Sequence, residues 1–213
     1  MGLTFAPQGD QGIWQTLENA ISKASQFIYI EDQYFTNEHV FHAIYQALVR
    51  GLNFFVLVMP RKTLGWDLTA PDPTVIDSDP AKMAMALFSD FPHKVRICYL
   101  EHEKEWIYVH SKTQIVDDIF LSCGSANLDI RGLGVDLNQA TSQECNLICI
   151  DEVVTAEGSR RLPQYVRARL WAEHLGLNPD NPVLLDPVAA YIKYWERSEP
   201  MHHVRFWTPK QQD

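Results

Sequence analysis

Apolar positions in the first 60 residues follow helical spacing and strand spacing in turn. Residues 12–25 place apolar side chains on one helical face, and 27–31 form a short run rich in β-branched and aromatic residues. Thr36 or Asn37 can cap a second helix, and Gly51 is suited to end it. The patterns predict helix 12–25, strand 27–31, helix 38–50 and strand 54–59, the last of which is apolar throughout and typical of a strand buried on both faces.

The same alternation resumes after residue 80 and continues towards the C-terminus. It predicts helix 81–89, strand 95–100, strands within 107–115 and 120–123, strand 145–151, and helices 162–175 and 187–197. Gly176 ends the first of the two last helices, and Asp186-Pro187 supplies a cap and a first-turn proline for the second. Strands that alternate with helices are typical of an α/β fold, which we therefore expect.

Residues 60–80 interrupt this alternation. The segment is rich in aspartate and in proline, at positions 60, 71, 73 and 80, which predicts a long loop. Leu64, Trp66 and Leu68 could give the loop an apolar tip that enters a lipid interface, where tryptophan is favoured. Packing of Trp66 against the loop itself explains the same residues, so both interpretations stay open.

The composition describes an ordinary globular protein. With 213 residues, of which 46% are hydrophobic and 21% charged, the chain can form one domain with a substantial core. The net charge of −9 argues against duplex DNA or RNA as the main substrate, because these polyanions require a basic groove. A local basic patch could still override that balance. No apolar run reaches the length of a transmembrane segment.

The cysteine pattern indicates neither a disulfide framework nor a metal centre. The four cysteines lie in apolar runs, without C-x-x-C spacing and without histidines at zinc-ligand intervals. We expect all of them to be buried free thiols, at positions 98, 123, 145 and 149.

Candidate chemistry is concentrated in residues 107–127. His110, Lys112 and Asp117 form the pattern H-x-K-x-x-x-x-D, and Ser125 and Asn127 follow within G-S-x-N. A histidine can attack or protonate near neutral pH, a lysine binds phosphate as a point charge, and serine and asparagine add neutral donors. The combination indicates phosphoryl transfer.

Strand geometry predicts how these residues come together. Side chains two positions apart on a strand leave the same face, so His110 and Lys112 are expected to project side by side. A following strand would deliver Ser125 and Asn127 from its end, where Gly124 allows the backbone to approach a ligand closely.

These motifs resemble the signature of the phospholipase D superfamily, the HKD motif followed by G-S-x-N. Residues 28–35, Ile-Tyr-Ile-Glu-Asp-Gln-Tyr-Phe, resemble a second family motif, I-Y-I-E-N-Q-Y/F-F, which is typical of the phospholipase members. The resemblance covers about residues 5–175. It implies an α/β lobe with a mixed β-sheet sandwiched by helices, and a single domain 1–213 that ends in a helical extension, 176–213.

The resemblance also implies a mechanism and a role for each site residue. The family displaces a phosphodiester in two steps through a phosphohistidine, and His110 corresponds to the acid that protonates the leaving alcohol and then activates water. Lys112, Ser125 and Asn127 would stabilise charge on the phosphoryl oxygens, without a metal ion or another cofactor. The remaining assignments are Glu144 as the carboxylate that orients the imidazole, Asp117 as the signature acid with a framework role, and Glu31 and Gln33 as substrate contacts.

A single HKD motif implies a partner, because enzymes of this superfamily use two motifs across a pseudo-twofold axis. The second lobe would belong either to a homodimer mate or to the N-terminal half of a longer chain. We favour the longer chain, because residues 2–7 lead directly into the first helix, as at the start of a C-terminal lobe.

We therefore expect a phospholipase D-type phosphodiesterase or phosphatidyltransferase that acts on phospholipid at a membrane surface. A homodimeric nuclease would show the same single motif, but residues 28–35 and the acidic balance count against it. A non-catalytic lobe is a third alternative. The chain could be soluble or peripheral to a membrane, and its compartment, the cytoplasm included, stays open.

Overall fold

A computed structural model describes most of the chain. The described residues are 10–63, 66–68, 79–134, 142–152, 161–197 and 199–207. Its α-helices are α1 Gly12–Lys23, α2 Glu38–Val49, α3 Asp79–Asp90, α4 Ile130–Leu133, α5 Leu162–Leu175 and α6 Pro187–Ala190. Its strands are β1 Phe27–Glu31, β2 Phe54–Val58, β3 Lys62–Thr63, β4 Trp66–Asp67, β5 Val95–His102, β6 Glu105–Ile107, β7 Thr113–Val116, β8 Phe120–Gly124, β9 Asn146–Ile150 and β10 Val204–Phe206.

An eight-stranded mixed sheet forms the centre of the fold, in the order β10-β5-β2-β1-β7-β8-β9, with β6 paired to β5. Strands β5, β2 and β1 are parallel, whereas β7, β8, β9 and β10 join by antiparallel pairing. Helices α1, α2 and α3 pack on one face, and α5 with the turns after it packs on the other. The expected α/β fold, a mixed sheet between helices, is confirmed.

The central strands are buried on both faces, as the apolar run 54–59 predicts. Every residue of β1 and of β2 is buried. Phe55 and Leu57 pack towards α1–α3, while Phe54 and Val56 pack towards α5. Such strands leave no room for polar side chains along their length, so polar groups collect at the strand ends.

The predicted helix boundaries have clear local causes. The side chain of Asn37 accepts hydrogen bonds from the backbone N–H groups of His39 and Val40 and caps α2. Gly176, at φ 66°, ends α5 in the left-handed conformation that glycine tolerates. None of the helices within the described residues is both long and apolar enough to cross a bilayer.

The predicted long loop 60–80 contains a short hairpin. Strands β3 and β4 pair within it, and an ion pair of 2.8 Å joins Lys62 Nζ to Asp67 Oδ2. Leu68 is buried against the α1–α3 layer, so it does not contribute to an exposed apolar tip. Residues 64–65 and 69–78 lie outside the described residues, and so does the side chain of Trp66.

Residues 176–213, predicted as a helical extension, also contribute a strand. The helix expected over 187–197 is a short α-helix, α6, continued by a turn of π-helix at Tyr191–Trp195. Strand β10 then pairs antiparallel with β5 at the edge of the sheet. Its three residues are too few for a period-two pattern to stand out in the sequence.

The cysteines are free, as expected, but their predicted burial was wrong for most of them. Cys98 is fully buried in β5, whereas Cys123 and Cys145 are exposed and Cys149 is half-buried. The three accessible thiols lie on or beside β8 and β9, at the less covered edge of the sheet.

A buried ion pair fixes α5 to the turn between β7 and β8. Arg167 Nε and Nη2 donate to the two carboxylate oxygens of Asp118, at 2.6 and 2.7 Å. The guanidinium carbon also lies 4.6 Å from the ring centroid of Trp171. Both charged side chains are almost fully enclosed, so each depends on the other for solvation.

We predict that Asp118→Ala strongly destabilises the fold, because it leaves the guanidinium of Arg167 buried without its counterion. Loss of one partner of a buried pair costs about 3–5 kcal/mol of unfolding free energy. Denaturant titration of the purified chain measures this loss. Glu199→Ala removes one partner of an exposed pair with Arg197 and serves as control, with no measurable change expected. Equal stability of the two variants would contradict the anchoring role of Asp118.

Candidate active site

Three chain segments meet at the edge of the sheet where β1 and β8 end and β7 begins. Glu31 of β1 pairs with Thr113 of β7, and the N–H of Gly124 donates to the carbonyl of Lys112 at 3.2 Å. The N–H of Leu128 donates to Asp32 Oδ2 at 3.3 Å. Two HKD residues, His110 and Lys112, therefore lie close to the G-S-x-N residues and to the 28–35 motif.

The spacing of His110 and Lys112 predicted that both side chains project from one strand, and this prediction was wrong. Strand β7 begins only at Thr113, and the two residues belong to the irregular segment before it. Accordingly the His110 ring is exposed, whereas Lys112 is buried. Lys112 Nζ turns back to donate to the His110 carbonyl at 2.8 Å and to Gln33 Oε1 at 3.4 Å. The two side chains are joined through the backbone rather than through a shared strand face.

Lys112 is a buried cation surrounded by carboxylates. Burial lowers the pKa of its ammonium, and the negative charges of Asp32, Glu144 and Asp129 oppose that effect. Burial raises the pKa of the Asp32 carboxyl well above its usual value, while backbone donors at Tyr34 and Leu128 and the charge of Lys112 act in the opposite direction. The ammonium is thus held as a positive charge beside the segment that carries His110.

Glu31 is almost fully enclosed by protein partners at one side of the site, and its expected role as a substrate contact stays a proposal. It is 4% exposed, and both carboxylate oxygens have protein partners. Oε1 accepts from the Tyr29 hydroxyl at 2.6 Å and lies 2.8 Å from His174 Nε2. Oε2 accepts from the Ser111 hydroxyl at 2.6 Å. Burial raises the pKa of Glu31, but hydrogen bonds from His174, Ser111 and Tyr29 outweigh it and hold the pKa below its usual value.

Gln33 lies at the mouth of the site. Its amide nitrogen donates to the hydroxyl of Tyr108 at 2.6 Å and to that of Tyr34 at 3.1 Å, and its oxygen accepts from Lys112. It is half-buried. Gln33 therefore links the 28–35 motif to the segment that carries His110, and a substrate contact stays a proposal.

Ser125 and Asn127 follow β8, as predicted. The Ser125 hydroxyl oxygen accepts from the N–H of Cys145 at 3.0 Å, and within the described residues its own proton has no acceptor, so it can donate to a ligand. Asn127 Oδ1 is buried and has no hydrogen-bond partner among the described residues. Both side chains keep capacity to bind another molecule.

Gly124 allows β8 to approach the start of β9 closely, whereas the expected approach to a ligand stays a prediction. A Cβ at this position would overlap the carbonyl oxygen of Cys145 and the side chain and Cα of Asn146. Asn146 in turn accepts from the N–H of Ala126 and donates to Ser122. The missing side chain thus lets the segment with Glu144 pack directly against Ser125.

The structure places Glu144 within electrostatic reach of Lys112. It is half-buried and directly precedes the residues that bond to Ser125 and Ala126. Its expected role, orienting the His110 imidazole, stays a proposal.

Asp117 lies at the opposite end of β7 from this cluster. The four residues of β7 separate it from Lys112, a strand length of about 13 Å. Its carboxylate accepts from the N–H groups of Ser25, Gln26 and Phe27 and from the Ser25 hydroxyl, at 2.7–3.0 Å. Asp117 fixes the start of β1, which fits the framework role expected for it.

A pocket of about 280 Å³ opens beside His110 and extends towards α5. Its apolar wall includes Leu100, Ile107, Val109 and Leu170. Polar groups on the other side belong to Glu31, Ser111, Glu173, His174 and His203. Among the described residues, no cluster of three or more potential ligand side chains is arranged to hold a metal ion.

Comparison with known proteins gives the family that the two sequence motifs indicate. The sequence model of the family described as "Cardiolipin synthase, PLD-like domain" matches residues 17–165, which is more than half of the chain. The chain belongs to the phospholipase D superfamily. Membership confirms the resemblance drawn from the two motifs.

Curated relatives of this phospholipase D-like chain are much longer proteins. Phospholipase D C of Dictyostelium discoideum is 27% identical over 217 residues, covering 84% of this chain but 13% of that protein. Phospholipase D gamma 2 of Arabidopsis thaliana is 31% identical over 158 residues, covering 68% of this chain and 17% of that protein. The chain therefore corresponds to a small part of each.

A solved structure shares the fold. Phosphatidylserine synthase from Haemophilus influenzae aligns with a TM-score of 0.50 and 17% identity, over 85% of this chain and 41% of that one. Because the sequence identity is low, this similarity shows a shared fold only, the mixed sheet between helices.

Sequence reasoning missed two residues of the phospholipase D-like site. His174 and Ser111 complete the environment of Glu31, and neither was singled out. Ser111 lies inside the H-x-K motif and could have been noticed there. His174 is 143 residues from Glu31, and no spacing rule connects them.

We predict that Glu31→Gln lowers the unfolding free energy of the chain at neutral pH by about 1.5–3 kcal/mol. This is the usual contribution of a hydrogen bond to a charged group. Because the folded pKa of Glu31 is depressed, this stability is present above the ordinary value of 4.5 and is lost as the pH falls through the folded pKa. The difference from wild type should therefore shrink below that value. Denaturation at pH 7 and in steps below pH 4.5 measures it. Glu18→Gln, in an exposed position, is the control, and a difference that does not vary with pH would contradict the role of the Glu31 charge.

Proposed function

We propose that the chain supplies one half-site of a phosphodiester-cleaving enzyme that acts on phospholipids through a phosphohistidine intermediate. The proposal depends mainly on one observation, the meeting of the HKD segment and the G-S-x-N segment at one edge of the sheet. Membership of the phospholipase D superfamily supports an enzymatic role. Phospholipid as substrate is supported by the 28–35 motif and by the curated relatives, which are named phospholipases D.

His110 provides the acid–base function in this proposal. Its ring is exposed at the pocket, as a group that must reach a leaving oxygen requires. In the first step the histidine of the other half-site attacks phosphorus, and His110 donates its proton to the departing alcohol. In the second step neutral His110 takes a proton from water, which attacks the phosphohistidine, so that the first histidine leaves and phosphatidic acid forms. An alcohol in place of water would give phosphatidyl transfer.

Lys112, Ser125 and Asn127 stabilise the phosphoryl oxygens as negative charge develops on them. The buried ammonium of Lys112 is held in place before substrate arrives, and preorganised donors of this kind contribute about 3 kcal/mol each to transition-state stabilisation. The negative charge of Glu144 favours the protonated form of Lys112. Glu144 also orients the imidazole of His110.

The second half-site belongs to another lobe, because the described chain contains one HKD motif. That lobe is either the N-terminal half of a longer chain or a homodimer mate, and we favour the longer chain. Solution mass distinguishes the two, measured together with alcohol release from phosphatidylcholine vesicles. Activity at twice 24.5 kDa supports a homodimer, whereas activity only after addition of an N-terminal lobe supports the longer chain. Cleavage of nucleic acid but not of phospholipid by either form would overturn the proposed substrate.

We predict that His110→Asn reduces alcohol release by at least about 10²–10⁴-fold, the usual contribution of general acid–base catalysis. Asparagine keeps a polar side chain of similar size but cannot transfer a proton near neutral pH. Steady-state turnover of the active form measures the loss, with circular dichroism to check folding. His42→Asn, on the exposed face of α2, is the matched control. A folded His110→Asn variant with wild-type turnover would remove His110 from the mechanism.

We also predict that activity survives exhaustive chelation, because lysine ammonium groups supply the positive charge that a metal ion would otherwise provide. Turnover is measured after dialysis against EDTA and again after separate addition of Mg²⁺, Ca²⁺ and Zn²⁺. If turnover is lost after EDTA and only one of these ions restores it, the metal-free mechanism is contradicted.

A further inference from the structure

The four residues Tyr29, Glu31, Ser111 and His174, here called the Glu31 cluster, connect α5 to the segment that carries His110. Two short hydrogen bonds of 2.6 Å reach the Glu31 carboxylate, from Tyr29 on the same strand and from Ser111. The third contact, 2.8 Å from His174 Nε2, comes from the last turn of α5. An imidazole nitrogen that meets a carboxylate at this distance is the donor, which places a proton on Nε2.

Ser111 lies between the two signature residues His110 and Lys112. Residues 108–112 are not part of a strand, although the Lys112 carbonyl accepts a backbone hydrogen bond from Gly124. Side-chain bonds also hold the segment, from Gln33 to the Tyr108 hydroxyl, from Lys112 to the His110 carbonyl and from Ser111 to Glu31. Of these side-chain bonds, the one from Ser111 attaches the segment to a buried carboxylate that has two other partners.

Helix α5 is itself held firmly against the sheet. Arg167 bonds to Asp118 two turns before His174, and Trp171, between them, is fully buried. The carbonyl of His174 also accepts from the N–H of His203, which ties the end of α5 to the turn before β10. His174 is therefore a fixed donor, and through Glu31 it determines where the Ser111 hydroxyl can bond.

We propose that His174 is a positioning residue for His110 and Lys112, acting through Glu31 and Ser111. Its effect on turnover depends on the proposed function, whereas its effect on the geometry of the His110 segment does not. Removal of the Nε2 donor leaves a buried carboxylate oxygen with one partner fewer, so Glu31 changes its orientation and the Ser111 bond is lost. Small displacements of a catalytic group reduce the rate of the chemical step more than they weaken substrate binding.

Two substitutions at one position separate hydrogen bonding from packing. His174→Gln keeps an N–H donor near the place of Nε2, and His174→Leu fills similar space without a donor. In the active form of the protein, we expect His174→Leu to lower kcat by about 10- to 100-fold with KM changed less than about threefold. We expect His174→Gln to keep kcat within about threefold of wild type. His42→Leu, an exposed histidine on α2, is the control for loss of a histidine as such.

A spectroscopic measurement tests the geometry without any substrate. Nuclear magnetic resonance of the chain with ¹⁵N-labelled histidine rings reports the His110 signals and a downfield Nε2 proton of His174. The His110 signals should move in His174→Leu and in Ser111→Ala but not in His174→Gln or His42→Leu. Ser111→Ala removes one hydroxyl at a half-buried position, so it keeps the test valid if His174→Leu does not fold.

The possible outcomes separate this proposal from the proposed function. Unchanged His110 signals in His174→Leu and Ser111→Ala, or equal losses of kcat in His174→Gln and His174→Leu, would overturn the positioning role. Shifted His110 signals, in a protein that cleaves no phosphodiester in any assembled form, would support the positioning role and overturn the proposed function instead.

Discussion

Burial of the central strands on both faces is the constraint from which the site follows. Strands β1 and β2 accept only apolar side chains along their length, apart from the Tyr29 hydroxyl, which bonds to Glu31. Polar groups are therefore restricted to the strand ends, where backbone donors and other side chains can satisfy them. At one end of β1 the carboxylate of Asp117 accepts the free N–H groups, and at the other end Glu31 and Asp32 meet the functional segments.

The two ends of the β1–β7 pair thus have different roles, although the HKD motif supplies residues to both ends. Asp117 binds backbone and secures the start of β1, while Lys112 and His110 lie at the opposite end. Asp118, the next residue, adds a buried ion pair with Arg167 that holds α5 in place. Stability and chemistry are connected through this helix, because its last turn contacts Glu31.

The functional end of β1 brings one buried ammonium close to several carboxylates. Lys112 is the buried cation there, and the nearby carboxylates reside on three different segments, at Asp32, Asp129 and Glu144. A phosphoryl group bound at His110 would add negative charge close to the ammonium, while Ser125 and Asn127 offer further polar contacts. This arrangement suits a mechanism in which side chains, rather than a metal ion, stabilise the developing charge.

The sequence by itself determined the α/β class, most element positions and the family, and it singled out His110, Lys112, Ser125 and Asn127 as candidate site residues. These features depend on local periodicity and short-range spacing, which are written directly in the order of residues. The tertiary structure alone decided that Glu31 is buried with three side-chain partners, that Asp117 lies at the opposite end of β7 from Lys112, and that His174 contacts Glu31. Those facts depend on contacts between residues about 90 to 143 positions apart, and only the packing of α5 and the register of the sheet bring such residues together.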